Sequence, residues 1–104
     1  MISRHWKGVA RPGKAEAYES HLRGDTFPHL AGLAGFVRAT ILRREVAEGT
    51  EFQVVTLWHS LEAIRAFAGD HLDAAVVPPG VQAMMVRYDA RVEHYEVAAT
   101  YEPR

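Results

Sequence analysis

The chain has 104 residues, 48% of them apolar and 24% charged, enough for one domain spanning 1–104 with its own core and no room for a second. Twelve basic residues against thirteen acidic ones give a formal net charge of -1, no electrostatic footprint for nucleic acid or an anionic membrane. Cysteine is absent, which excludes disulfides and thiolate-held metal or iron–sulfur centres. No apolar run approaches the ~20 residues that cross a bilayer, and the start Met1-Ile2-Ser3-Arg4-His5-Trp6-Lys7 has no apolar signal segment, so a cytoplasmic protein is expected.

Ile2 to Val9 reads as a first strand, with Ile2, Arg4 and Trp6 on one face and Ser3, His5 and Lys7 on the other. Arg11-Pro12-Gly13 stops it. Lys14 to about Gly24 reads as a helix, with Ala15, Tyr18 and Leu22 on one side and Glu16 and Glu19 near its positive end. Gly24 and Pro28 predict a broken or kinked continuation through His29-Leu30, which Gly32 and Gly35 finish. Phe36 to Arg44 and Phe52 to Trp58 read as the second and third strands, joined through Ala47-Glu48-Gly49-Thr50. The third strand lacks a clean polar side and is expected to be buried on both faces.

Ser60 is a natural N-cap for a helix from Leu61 to Ala68, which packs through Leu61, Ile64, Phe67 and Ala68 and stops at Gly69. Asp70 is expected to cap a second, short helix carrying Leu72, Ala75 and Val76, which Pro78-Pro79-Gly80 ends. The last strand lies between Met84 and about Val97, with Val92, His94 and Glu96 alternating against Arg91, Glu93 and Tyr95. Strand, helix, strand, strand, helix, strand is the α+β, ferredoxin-like split βαβ order, a four-stranded antiparallel sheet with both helices on one face. Its other face would show water a broad apolar surface. A homodimer, sheet against sheet, is the expected remedy, with each pocket between sheet and helices.

The stretch Val54-Val55-Thr56-Leu57-Trp58-His59-Ser60-Leu61-Glu62-Ala63-Ile64-Arg65-Ala66-Phe67-Ala68-Gly69 resembles the strand–Trp–x–Ser–x–Glu–helix segment of the antibiotic biosynthesis monooxygenase family, in the dimeric α/β-barrel superfamily. Trp6-Lys7-Gly8 on the first strand and Val92-Glu93-His94-Tyr95-Glu96 on the last resemble the same group, and the element order matches over nearly the whole chain. The resemblance implies a dimeric α/β barrel. It also implies a monooxygenase that works without metal or flavin on a small electron-rich aromatic. Heme-degrading members carry an Asn on the first strand, a Trp late in the helix and a downstream His. Here the first strand has no Asn, Phe67 stands at the Trp position and Ala74-Ala75-Val76-Val77 where the His is expected.

Familiar sites are missing from the residues themselves. No glycine-rich phosphate loop follows a strand, no nucleophile elbow surrounds a serine, and the chain is too short for a dinucleotide fold. His21, Asp25 and His29 would stack at i, i+4 and i+8 on an unbroken helix, but Gly24 and Pro28 interrupt it, so no metal site is expected. His94, on a strand in a two-sided core, suits either a general base or a hydrogen-bonded structural histidine. His5 divides in the same way. Trp6, Tyr18, Trp58 and Phe67 offer an aromatic lining for a small aromatic ligand, or a core. Arg4 and Arg38 lie mid-strand, where a buried guanidinium needs a carboxylate such as Glu93 or Glu96, or an anionic ligand. Of the two, Arg38 is the candidate for anion stabilisation. The alternative function is a non-catalytic dimeric barrel that binds a ligand or serves in a stress response.

Overall fold

β1 (Ile2–Ala10) runs through the interior of an antiparallel sheet, flanked on one side by β3 (Gly49–Trp58) and beyond it β2 (Phe36–Val46). On its other side β1 pairs with β4 (Met85–Tyr88) near its end and with β5 (Glu93–Glu96) near its start. The computed structural model describes residues 1–104. Its strand order, β2-β3-β1-β4, is that of the α+β ferredoxin-like fold, as the sequence predicts. The sheet has five strands rather than four, because the last strand is cut in two. Between Gly8, opposite Tyr88, and His5, opposite Glu93, four residues of the edge face only two of β1. The extra length bulges outward at Asp89–Val92 and finds other partners: the Asp89 carbonyl accepts the Trp6 indole N–H at 3.0 Å, and Val92 N–H donates to the Asp73 carbonyl at 2.8 Å.

Between β1 and β2 the chain stays helical without a break. α1 (Ala15–His21) passes through one wide π-helical turn (Leu22–Thr26) into α2 (Phe27–Ala31), and Phe27 N–H closes on the Leu22 carbonyl five residues back. Gly24 and Pro28 therefore do not end the helix. Gly24 sits in the wide turn, and Pro28 falls in the first turn of α2, where its missing N–H costs little. α3 (Leu61–Ala68) has the predicted bounds: Ser60 Oγ accepts Ala63 N–H at 3.2 Å, and Gly69 at φ 76° stops it. The short helix expected after Asp70 is absent. Residues 70–78 form an irregular strap, and α4 (Pro79–Met84) begins where the prolines were expected to end a helix. Pro79 is pre-set for the first helical position, so the same residues start a helix as readily as they stop one.

Even-numbered residues of β1 and β3 face the helices. Trp6, Ala10, Phe52 and Met85 pack with Tyr18, Leu22 and Val81 in one core, while Trp58 packs with Leu30 and Ile64 in a second, and Phe27 touches both. Gly35, at φ 87°, lets the chain turn into β2 against α3, where any Cβ would collide with that of Ala63. The opposite face of the sheet carries Ser3, His5 and Lys7 from β1, Arg38, Thr40, Leu42 and Arg44 from β2, and Glu51, Gln53, Val55 and Leu57 from β3. The broad apolar surface expected on this second face is thus a mixed one, with Val55 and Leu57 half-buried among polar side chains. None of the helices is long and apolar enough to cross a membrane.

Candidate functional site

A cleft opens between the helix-facing side of the sheet and the continuous helical segment. Its floor is Arg4, Trp6, Val54 and Thr56; His21, Thr26 and Phe27 wall one side, Phe67 and Val76 the other. A cavity of about 70 Å³ lies inside a cleft whose empty space, open solvent included, is about 580 Å³. The π-helical turn shapes one wall, since Leu22 and Thr26 both come from it. Trp6 is held flat over Gly8, where any Cβ would collide with the indole, and its N–H is tied to Asp89. Tyr18 leans on Trp6 at 6.0 Å between ring centroids and meets Phe52 edge-on at 4.9 Å.

Arg4 is the one cation in this wall, only 4% exposed. Its Nη1 donates to the Leu72 carbonyl at 2.5 Å and to His94 Nε2 at 3.0 Å, and Nη2 donates to the Ala74 carbonyl at 2.9 Å. The guanidinium also lies 5.7 Å over the Phe67 ring. Burial lowers its pKa to about 10, against which the charge of Asp73 acts, and at neutral pH it remains a cation. Neither Glu93 nor Glu96, the carboxylates expected as partners, pairs with it. Glu93 accepts from the Tyr95 hydroxyl on the opposite face, and Glu96 lies opposite Ile2 in the register.

The predicted site residues do not come together. Trp6, Tyr18 and Phe67 line the cleft, whereas Trp58 is wholly buried in the second core, stacked near Phe67 at 6.3 Å and donating to Thr56 Oγ1 at 2.9 Å. His5 points to the opposite face, where Gln53 Nε2 donates to its Nδ1 at 3.1 Å and its Nε2 donates to Ser3 Oγ at 2.8 Å. Arg38 is exposed on edge strand β2, on that same far face, and does not reach the cleft. His94 stands behind Arg4 rather than on the cleft wall, and its Nε2 lone pair is taken by the guanidinium. Burial, then the charge of Arg4, hold its pKa below the ordinary histidine range. It is neutral, with its proton on Nδ1, and orients the arginine.

Sequence reasoning missed His21 and Thr26 as wall residues. His21 Nδ1 lies 3.4 Å from Asp25 Oδ2, the i, i+4 pairing of an unbroken helix where an interruption was expected, and no cluster of three metal-binding side chains forms. Thr26 ends the wide turn and His21 is the last residue of α1 before it.

No family model and no curated protein sequence matches the chain. Solved structures do. SnoaB, a cofactor-independent oxygenase from Streptomyces nogalater, in its N63A form, is 18% identical over 95% of this chain and 94% of its own, with a TM-score of 0.66. A Bacillus cereus protein assigned to antibiotic biosynthesis monooxygenases is 17% identical over 99% and 96%, also at 0.66. The heme degrader MhuD from Mycobacterium tuberculosis, with two hemes in its active site, is 20% identical over 98% and 100%, at 0.64. At these identities the likeness is one of fold, and along its whole length the chain carries the ferredoxin-like fold of the antibiotic biosynthesis monooxygenase proteins.

Proposed function

We propose that the chain is a cofactor-independent monooxygenase acting on a small electron-rich aromatic bound in the sheet–helix cleft. One observation carries this: an aromatic, largely apolar cleft holds a single buried cation, Arg4, that no protein carboxylate contacts. In such a low-dielectric setting a fixed cation favours the ionised form of a phenol or enol, the form able to reduce oxygen directly. The substrate anion passes one electron to O₂, the radical pair combines into a C–O bond, and the resulting hydroperoxide loses water to leave a carbonyl. One oxygen atom enters the product, the other leaves as water, and no outside reductant is consumed. Arg4 replaces Arg38 as the stabilising cation, and His94 serves as its positioning residue. Trp6, Tyr18 and Phe67 shape the pocket.

Heme chemistry fits the residues poorly. Phe67 and Val76, at and near the positions where heme degraders carry Trp and His, present apolar groups to the cleft, and the one imidazole on its wall, His21, is paired with Asp25. A second reading, a non-catalytic ligand-binding barrel, is favoured by the tie between His94 and Arg4, which leaves that histidine no lone pair for a substrate proton. An oxygen electrode separates the two. Uptake of O₂ with anthrone- or hydroquinone-type substrates, slowed by His94→Gln, supports the oxygenase, and no uptake across that set refutes it. We also propose a cytoplasmic homodimer through the open sheet face, on the strength of the half-buried Val55 and Leu57 and the exposed Leu42 and Tyr95 there.

A further inference from the structure

The enclosed part of the cleft is about 70 Å³, well below the ~300–1,000 Å³ of sites that surround a small-molecule ligand, so part of the wall has to move before a ring can enter. The floor is sheet, and the helical segment and α3 hold His21, Phe27 and Phe67 in place. The strap at residues 70–78, which contributes Val76 and Pro78 to the wall, is neither helix nor strand, and none of its side chains is fully buried. Most of its ties run to parts that are themselves irregular or exposed. Ala75 N–H donates to the Ala90 carbonyl at 2.9 Å and Val92 N–H to the Asp73 carbonyl at 2.8 Å, both in the bulge. The ion pairs Asp70–Arg65 and Asp73–Arg91 lie in solvent, where they contribute little. The hydrogen-bonding link from the strap to β1 is Arg4, through the Leu72 and Ala74 carbonyls.

Arg4 is in turn held by His94, whose Nε2 lone pair accepts Nη1–H at 3.0 Å. A proton on Nε2 removes that acceptor and sets two cations against each other, since Arg4, with a pKa of about 10, keeps its own charge. Arg4, opposite His94 on β1, and the neighbouring His5 oppose that proton; Asp73 on the strap favours it and is shared with Arg91 from the bulge. On β5 itself, Glu93 is bonded by Tyr95 on the far face, and Glu96 is exposed. We propose that residues 70–78 form a lid on the cleft, latched by Arg4 and released when His94 takes up a proton. The guanidinium then leaves the Leu72 and Ala74 carbonyls, and the strap lifts Val76 and Pro78 from the wall. This rests on the cleft being the ligand site proposed above and adds its gate. Burial, then the charge of Arg4, hold His94 below the ordinary 6.5 while the lid is shut, so opening takes up a proton. The lid is therefore shut above about pH 6.5, and its opening constant rises about tenfold per pH unit from there down to the closed-state value.

The test follows amide hydrogen exchange by NMR at pH 7.5 and pH 5, expressed as protection relative to an unfolded chain. It uses the unaltered protein and His94→Gln, whose amide oxygen still accepts from Arg4 but takes no proton. Ala75 and Val92 are expected to exchange well ahead of Phe52 and Val54 on the doubly paired β3, which marks a local opening rather than unfolding. Their protection is expected to fall about tenfold in acid in the unaltered protein and to stay constant in His94→Gln. The proposal is overturned if these two amides exchange no faster than those of β3, if their protection changes by less than about threefold, or if His94→Gln changes as much as the unaltered protein. 1-Naphthol, uncharged over this range, reports entry by stopped-flow fluorescence and is expected to bind faster in acid. A lid that opens in acid with no naphthol bound at either pH would remove the cleft as a ligand site and leave the latch standing. Naphthol entry at one rate across the range, with the strap protected throughout, would do the reverse.

Discussion

Arg4→Met removes the guanidinium and keeps most of the side chain's length, so it isolates what the buried cation does for the fold. Arg4 is the link between β1 and the strap at residues 70–78: its three bonds satisfy the Leu72 and Ala74 carbonyls and His94 Nε2. Losing them leaves two strap carbonyls short of a donor, at about 1–3 kcal/mol each where burial persists. Relief from burying a charge offsets part of this, since desolvation already pulls the Arg4 pKa down to about 10. The expected net loss is about 3 kcal/mol, a large share of the ~5–15 kcal/mol typical of a domain. In a chain of this size that lowers Tm by roughly 10–20 °C. Urea unfolding followed by far-ultraviolet circular dichroism measures the loss, and hydrogen exchange locates it. Exchange is expected to quicken first at Ala75 and Val92, whose N–H groups hold the strap to the Asp89–Val92 bulge. A loss below about 1 kcal/mol, or exchange spread evenly over the sheet, would show that the strap is held by something other than Arg4.

Ile64→Ala, at a position with no exposure between Leu30 and Trp58, is expected to cost about 2–5 kcal/mol by equilibrium unfolding. Stability should fall with acid. His94 and His5 both have pKa values below the ordinary 6.5, mainly from burial, so their contribution is complete above about that pH and is lost as pH drops through their folded values. Thermal melts between pH 8 and pH 5 check the sign, and His94→Gln should flatten the slope. Leu57→Asp sets a charge in the middle of the open face and is expected to yield a folded monomer by native mass spectrometry if the proposed dimer forms. An unchanged dimer would place the interface elsewhere.

How much of this was legible in the sequence varies with how local each signal is. α3 was readable to the residue, because Ser60 as cap and Gly69 as stop act within one turn of the helix they bound. The π-helical turn was not. Gly24 and Pro28 read as breaks, yet the core contacts of Leu22, Phe27 and Leu30 hold the segment helical through a wider turn. The double-proline stretch reads equally as a stop or a start, and only packing of Val81 against the first core decides for the start.

Alternation and the order of strands and helices were enough to determine the ferredoxin-like architecture and to set Arg4 and Trp6 on one face of β1 and His5 on the other, since a period of two leaves no third choice. Tertiary structure alone decided which of these side chains meet. Arg4 finds its acceptors 68 and 70 residues away, His94 lends its lone pair to Arg4 instead of to the cleft, and Arg38 is turned away by its register on the outermost strand. Hydrogen-bond partners so distant in sequence are set by how the strap and the split edge strand pack over β1, and no local pattern encodes that packing.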